Sequence, residues 1–142
     1  MATLDQAHAV RDGESLDMGK IADYLKSTIP GLEGQVAVEQ FHSGYSNLTY
    51  LIRIGDTDMV LRRPPFGKKA RSAHDMHREY RILTALKPIF PYVPEPVAYC
   101  DDPAVMDVPF YVMQRLQGVI LRKDPPRGMM LDTPTAAALC RQ

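Results

Sequence analysis

Hydrophobic and polar positions along the 142-residue chain change period several times. Met18, Ile21, Ala22, Leu25 and Ile29 recur at helical spacing, Ser15 or Asp17 can cap the start, and Pro30-Gly31 stops the run. This pattern predicts an amphipathic helix over about 17–29. Three short runs rich in β-branched and aromatic residues follow at 36–43, 48–54 and 59–63, and they predict antiparallel strands. Gly44-Tyr45-Ser46-Asn47 joins the first two, Gly55-Asp56-Thr57-Asp58 reads as a hairpin turn between the second pair, and Pro64-Pro65 ends the third strand.

From Ser72 the period is helical again. Met76, Tyr80, Leu83 and Leu86 share one face and Ser72 with Asp75 offers a capping arrangement, so a helix is expected over about 73–87. The proline-rich KPIFPYVPEP must be a connector, and PVAYC and PFYVMQRL read as two further strands around the loop DDPAVMDV. Residues 1–14 show neither period and are expected to be a flexible lead-in. Thr133-Pro134 predicts an N-cap and a proline at the first helical position, with only eight residues remaining after Pro134. No internal repeat or low-complexity tract appears.

Composition narrows the function classes. An apolar fraction of 45% suits a globular core, and 17 basic residues balance 17 acidic ones, so no global field favours nucleic acid or anionic membrane. Cys100 and Cys140 stand far apart without a CxxC motif, which suggests neither a disulfide framework nor a zinc site and fits a reducing cytoplasm. The amino terminus is polar, and no stretch approaches the roughly 18 apolar residues of a membrane span. Secretion and membrane insertion are therefore not expected.

The order helix, strand, Gly-containing turn, strand, turn, strand ending in a cation, helix bearing an acid, strand, strand is that of a kinase amino-terminal lobe. SGYSNLTYLI, MVLRRPP, SAHDMHREYRIL and PFYVMQRLQG occur in that sequence. Together they resemble the aminoglycoside phosphotransferase and choline kinase-like family, in the branch also fused in front of acyl-CoA dehydrogenase domains. The resemblance runs from about Ile21 to Leu121. It implies an α+β fold: a kinase-like N-terminal lobe with a five-stranded antiparallel sheet, one packed helix and an extra N-terminal helix. Residues 15–121 would form the nucleotide-binding lobe and 122–142 the start of a connection to an absent C-terminal lobe.

The same resemblance assigns roles. Ser43, Gly44, Tyr45, Ser46 and Asn47 would form the loop over the nucleotide phosphates, where a glycine admits close approach; a plain hairpin turn is the alternative. Arg62, preceded by Val60 and Leu61, stands where kinases place the third-strand lysine and would hold the α and β phosphates. Glu79 would orient it, although most helix glutamates are unrelated surface charges. An arginine in place of lysine departs from the wider kinase pattern but agrees with the nearest branch. Met113 would back the adenine pocket, with the backbone carbonyl of Gln114 and the backbone N–H of Leu116 at the adenine edge; the alternative is a core strand with an exposed end.

Other signals are discounted. Asp56-Thr57-Asp58 resembles a metal-binding DxD but falls in an expected turn. His74 and His77 are three apart on the expected second helix beside Asp75, a spacing compatible with metal, but two histidines on a solvent face near a helix start are ordinarily just polar residues, so no metal site is assigned. Arg62, Arg63, Lys68, Lys69 and Arg71 form a short basic run without interleaved aromatics apart from Phe66, which reads as a solvated loop. No HGDxxxxN-type loop occurs, so no catalytic residue is assigned. The expected function is the nucleotide-binding lobe of an ATP-dependent small-molecule phosphotransferase, inactive alone, with ATP as cofactor and Mg only where the second lobe is present. The alternative is a non-catalytic interaction module. Expected partners are nucleotide, an acceptor that these residues do not reveal, and a second copy through the exposed surface around Met113 and Leu116, with neither nucleic acid nor membrane.

Overall fold

The computed structural model describes residues 5–42, 47–67, 75–121, 124–125 and 127–141. One compact unit comprises Ala7–Leu116 and a second combines Met1–Gln6 with Gln117–Gln142. The first unit opens with α1 (Met18–Thr28), capped by the Asp17 carboxylate, which accepts the Lys20 N–H at 3.2 Å. Its inward face buries Ile21, Ala22 and Leu25. The five strands are β1 (Val36–Phe41), β2 (Leu48–Ile54), β3 (Thr57–Arg63), β4 (Pro96–Cys100) and β5 (Phe110–Gln114), with α2 (Met76–Leu86) between β3 and β4. They form one antiparallel sheet in the order β1-β2-β3-β5-β4.

Strand periodicity divides this sheet into two chemically distinct faces. Leu48, Tyr50, Ile52, Ile54, Met59, Leu61, Phe110 and Val112 turn to the side of α1 and form the core with its buried residues. Tyr24 of α1 ties that layer to β4 by donating its hydroxyl to the Tyr99 carbonyl at 2.9 Å. The opposite face carries Thr49, Leu51, Val60, Arg62, Tyr111 and Met113. On that side α2 packs against β4 and β5, with Tyr80 near the rings of Tyr99 and Tyr111 at 5.8 and 6.2 Å. Met76 is the one residue of α2 that is buried among those described, so this helix is held partly by polar contacts.

Several boundaries differ from expectation, each for a local reason. The hairpin between β2 and β3 is tighter than a four-residue turn: Ile54 pairs with Thr57, and Asp58 lies within β3 opposite Arg53. Gly55 takes φ +58°, and a Cβ there would meet the Glu33 carbonyl oxygen at less than a van der Waals contact. The N-cap of α2 is Asp75, accepting the Arg78 N–H at 2.9 Å; Ser72, Ala73 and His74 lie outside the described residues. In the second unit α3 spans Thr133–Cys140, and its cap is Asp132 rather than Thr133, because the Asp132 carboxylate accepts the Thr135 N–H at 2.8 Å.

Residues 8–14, within the expected lead-in, are tied to the edge strand. His8 and Gln40 exchange backbone bonds of 2.9 and 2.7 Å, the Arg11 N–H reaches Gln40 Oε1 at 2.9 Å, and Tyr50 donates to the Glu14 carbonyl at 2.7 Å. Polar and backbone bonds of this kind leave no hydrophobic period to read. They also cover part of an otherwise unpaired strand edge.

Candidate functional site

Register places the site. Thr49 of β2 pairs with Arg62 of β3, and Arg62 pairs in turn with Tyr111 of β5, so the three side chains rise in one row from the same face. Above that row lies α2. Met76 anchors its first turn in the interior, and Glu79, three residues on, lies along the same side of the helix. The packing of Met76 therefore brings a carboxylate over the row.

Glu79 gathers the surrounding donors. Arg62 Nε donates to Glu79 Oε2 at 3.0 Å and Arg62 Nη2 to Oε1 at 3.4 Å. Asn47 Nδ2 donates to Oε1 at 3.0 Å, and the Tyr111 hydroxyl to Oε2 at 2.8 Å. On its other side the guanidinium donates through Nη1 to Thr49 Oγ1 at 3.2 Å. Side-chain exposures of 26% for Arg62 and 29% for Glu79 remove the pair from the fully solvated regime in which ion pairs contribute little.

The titration behaviour follows from this packing. Burial opposes the charge on Arg62, but the hydrogen bonds and charge of Glu79, with Tyr111, outweigh it and raise the guanidinium above its ordinary range. Burial raises the Tyr111 phenol well above its ordinary range; Arg62 pulls the other way, and the bond to Glu79 adds to the rise. Tyr111 is thus held as a neutral donor, the state its bond to a carboxylate requires.

The other sequence-derived positions fall as follows. Asn47 is buried beside Glu79, whereas Ser43, Gly44, Tyr45 and Ser46 lie outside the described residues. Val60 is buried on the Arg62 face opposite Met113, which is half-buried. Gln114 is engaged with the connector: its N–H donates to the Glu95 carbonyl at 2.8 Å and its side-chain oxygen accepts the Glu95 N–H at 3.2 Å. Leu116 is exposed at the end of the unit. The sequence reading missed Thr49 and Tyr111, whose signal is strand alternation combined with register.

Two further charged groups lie elsewhere on the sheet. Asp58 accepts from Arg53 at 2.6 Å and from Arg115 at 3.2 Å, and the Arg115 guanidinium lies 5.8 Å from the Phe41 ring. Arg63, one residue from Arg62, points to the α1 face. Its side chain is 3% exposed, donates through Nε to the Pro64 carbonyl at 2.9 Å, and stacks 3.7 Å from the Phe66 ring centroid. Arg62 and Arg63 thus point to opposite faces of the sheet, and Lys68, Lys69 and Arg71 lie outside the described residues. Among the described residues no group of three or more His, Cys, Asp or Glu side chains is placed to hold a metal ion, and no helix is long and apolar enough to cross a membrane.

The family model described as the phosphotransferase enzyme family matches residues 37–142. The chain is 38% identical over 126 residues to acyl-CoA dehydrogenase family member 11 of Gallus gallus, covering 86% of this chain and 16% of that protein. It is 33% identical over 139 residues to acyl-CoA dehydrogenase family member 10 of Mus musculus, covering 93% of this chain and 13% of that protein. The chain therefore spans less than a fifth of the length of these relatives. A crystal structure from Ralstonia eutropha JMP134, named as a candidate aminoglycoside phosphotransferase, superposes with a TM-score of 0.65 at 28% identity, over 81% of this chain and 32% of its own. On this match, and with a five-stranded antiparallel sheet and helices that match that neighbour's fold, the chain belongs to the phosphotransferase enzyme family.

Proposed function

We propose that this chain is the nucleotide-binding lobe of an ATP-dependent small-molecule phosphotransferase, with Arg62 as the phosphate-binding cation. The observation that carries the reading is the Arg62–Glu79 pair, bonded at 3.0 Å on the sheet face opposite the core. A guanidinium has five N–H bonds, of which the contacts to Glu79 and Thr49 occupy three. Arg62 thus keeps donors for an oxygen anion, and its planar fork suits phosphate. This donor set fits a nucleotide polyphosphate.

The remaining assignments follow the family. Asn47 would end the loop over the phosphates, Val60 and Met113 would supply the apolar surface for the base, and the backbone at Gln114 and Leu116 would meet the adenine edge. When bound, ATP supplies the transferable phosphoryl group. In this fold class the base and the metal-holding acids come from the second lobe, and this sequence has no HGDxxxxN-type loop. The chain alone is therefore proposed to bind nucleotide without turnover. The dehydrogenase activity named in the relatives is not proposed, because the chain spans only 16% and 13% of those proteins.

Titration calorimetry with ATP on the wild type and Arg62→Ala tests this reading. Loss of a charge-assisted phosphate contact is expected to weaken binding roughly tenfold or more. Equal ATP affinity in the two proteins, or no affinity in either, would contradict it.

A further inference from the structure

The Glu79 carboxylate is held from three directions. Arg62 is one of the three. Tyr111 and Asn47 supply the others, at 2.8 and 3.0 Å. Tyr111 differs from Asn47 in being rooted in the middle of the sheet: it is 3% exposed and pairs with Arg62 on one side and Tyr99 on the other. Its phenol is thus a rigid donor. Glu79, by contrast, is borne on a helix of which Met76 is the one buried residue among those described.

We infer that Tyr111 is a positioning residue for the phosphate-binding cation: its hydroxyl fixes the Glu79 carboxylate, and Glu79 in turn aims Arg62. This rests on the nucleotide reading above and adds to it a residue acting at one remove. The geometry supports the division of labour. Arg62 and Tyr111 leave the sheet side by side and meet the same oxygen, Glu79 Oε2, at 3.0 and 2.8 Å. Without the phenol, that oxygen keeps only Arg62 among the described residues, and the carboxylate is steadied against the guanidinium by the Asn47 bond to Oε1 in place of two donors. Thr49 then becomes the one remaining sheet-borne contact on Arg62 among the described residues.

A chain of action of this kind has a specific signature. Tyr111→Phe keeps the ring and its place beside Tyr80 while deleting only the hydroxyl. Because the effect passes through Arg62, it concerns phosphate and not the base. We therefore measure ADP and adenosine binding by calorimetry in the wild type, Tyr111→Phe, Arg62→Ala and the double variant, with thermal unfolding of each. The expected results are a loss of roughly three- to tenfold for ADP in Tyr111→Phe, the scale of one hydrogen bond to a charged group. Adenosine affinity is expected within about twofold of wild type, with no additional ADP loss when Tyr111→Phe is added to Arg62→Ala. Equal losses for ADP and adenosine, full additivity in the double variant, or unchanged ADP affinity in Tyr111→Phe would each overturn the inference.

Failure of the nucleotide reading itself has a different appearance. It is an absence of ADP binding in the wild type, or ADP binding indifferent to Arg62→Ala. In that case the Arg62 Nε–H resonance of the nucleotide-free protein decides the positioning role on its own. Slow hydrogen exchange at Nε in the wild type and faster exchange in Tyr111→Phe uphold it, and identical exchange in the two proteins overturns it.

Discussion

Arg62 Nε stands 3.0 Å from Glu79 Oε2, joining the third strand to the second helix across the face of the sheet that the core does not use. The contact couples secondary structure to electrostatics. Removing Glu79 leaves a cation that is three-quarters buried with, among the described residues, the Thr49 hydroxyl and, through a rearranged bond, Tyr111 as polar neighbours. It also removes the acceptor of one Asn47 amide bond and of the Tyr111 hydroxyl.

Glu79→Ala is therefore expected to destabilise the fold by about 1–3 kcal/mol, below the range for fully buried pairs because part of each group meets water. Chemical denaturation of the two proteins checks this. A difference below about 0.5 kcal/mol, the usual scale of a surface substitution, would show that the pair is solvated and that Glu79 does not organise the site.

The hairpin of β2 and β3 carries its own pH dependence. Arg53, hydrogen-bonded to Asp58 at 2.6 Å, holds the Asp58 carboxyl below the usual carboxylate range, with Arg115 adding to the effect. A depressed folded-state value means stability that is present above the unfolded pKa, near 3.9, and is lost as the pH falls through the folded one. Thermal unfolding measured from roughly pH 5 downwards should fall less steeply for Asp58→Asn than for the wild type. Parallel curves would remove Asp58 from the account.

Arg63 makes the opposite case to Arg62. Burial lowers its guanidinium from the ordinary range, and among the described residues its nearest carboxylate is Asp107 at 3.9 Å and its buried Nη2 has no hydrogen-bond partner. Desolvation of such a charge is poorly compensated. Arg63→Met, which keeps an unbranched chain in the same space, is expected to leave stability unchanged or raise it by about 1 kcal/mol. A loss of 2 kcal/mol or more, on the scale of breaking a well-compensated buried pair, would mean that the stacking on Phe66 and the bond to Pro64 outweigh desolvation.

These contrasts show what the sequence could and could not convey. Ile21, Ala22 and Leu25 recur at helical spacing and are the buried residues of α1, so that element was legible from period alone. The sheet was legible as five strands, because β-branched and aromatic runs between glycine and proline breaks leave few alternatives. Glu79 and Arg62, seventeen residues apart, were paired by resemblance and not by pattern. Thr49 and Tyr111 were not legible: the register Thr49 to Arg62 depends on where the β2–β3 turn closes, at Ile54 and Thr57, and the register Arg62 to Tyr111 joins strands distant in sequence, whose alignment is set by the packed core. Residues 8–14 were missed for a related reason: their bonds to Gln40 and Tyr50 are made by backbone and polar groups without periodicity.

The central claim is that nucleotide phosphate binds at Arg62 on the face of the sheet opposite α1. Amide and arginine side-chain NMR of the uniformly labelled chain, titrated with ADP, tests it residue by residue. The account predicts that the Arg62 Nε–H and the amides of Thr49, Val60, Arg62 and Met113 shift together along one saturable isotherm, while Ile21 and Leu25 of α1 remain still. Saturable shifts confined to the α1 face, or spectra unchanged at millimolar ADP, would contradict it.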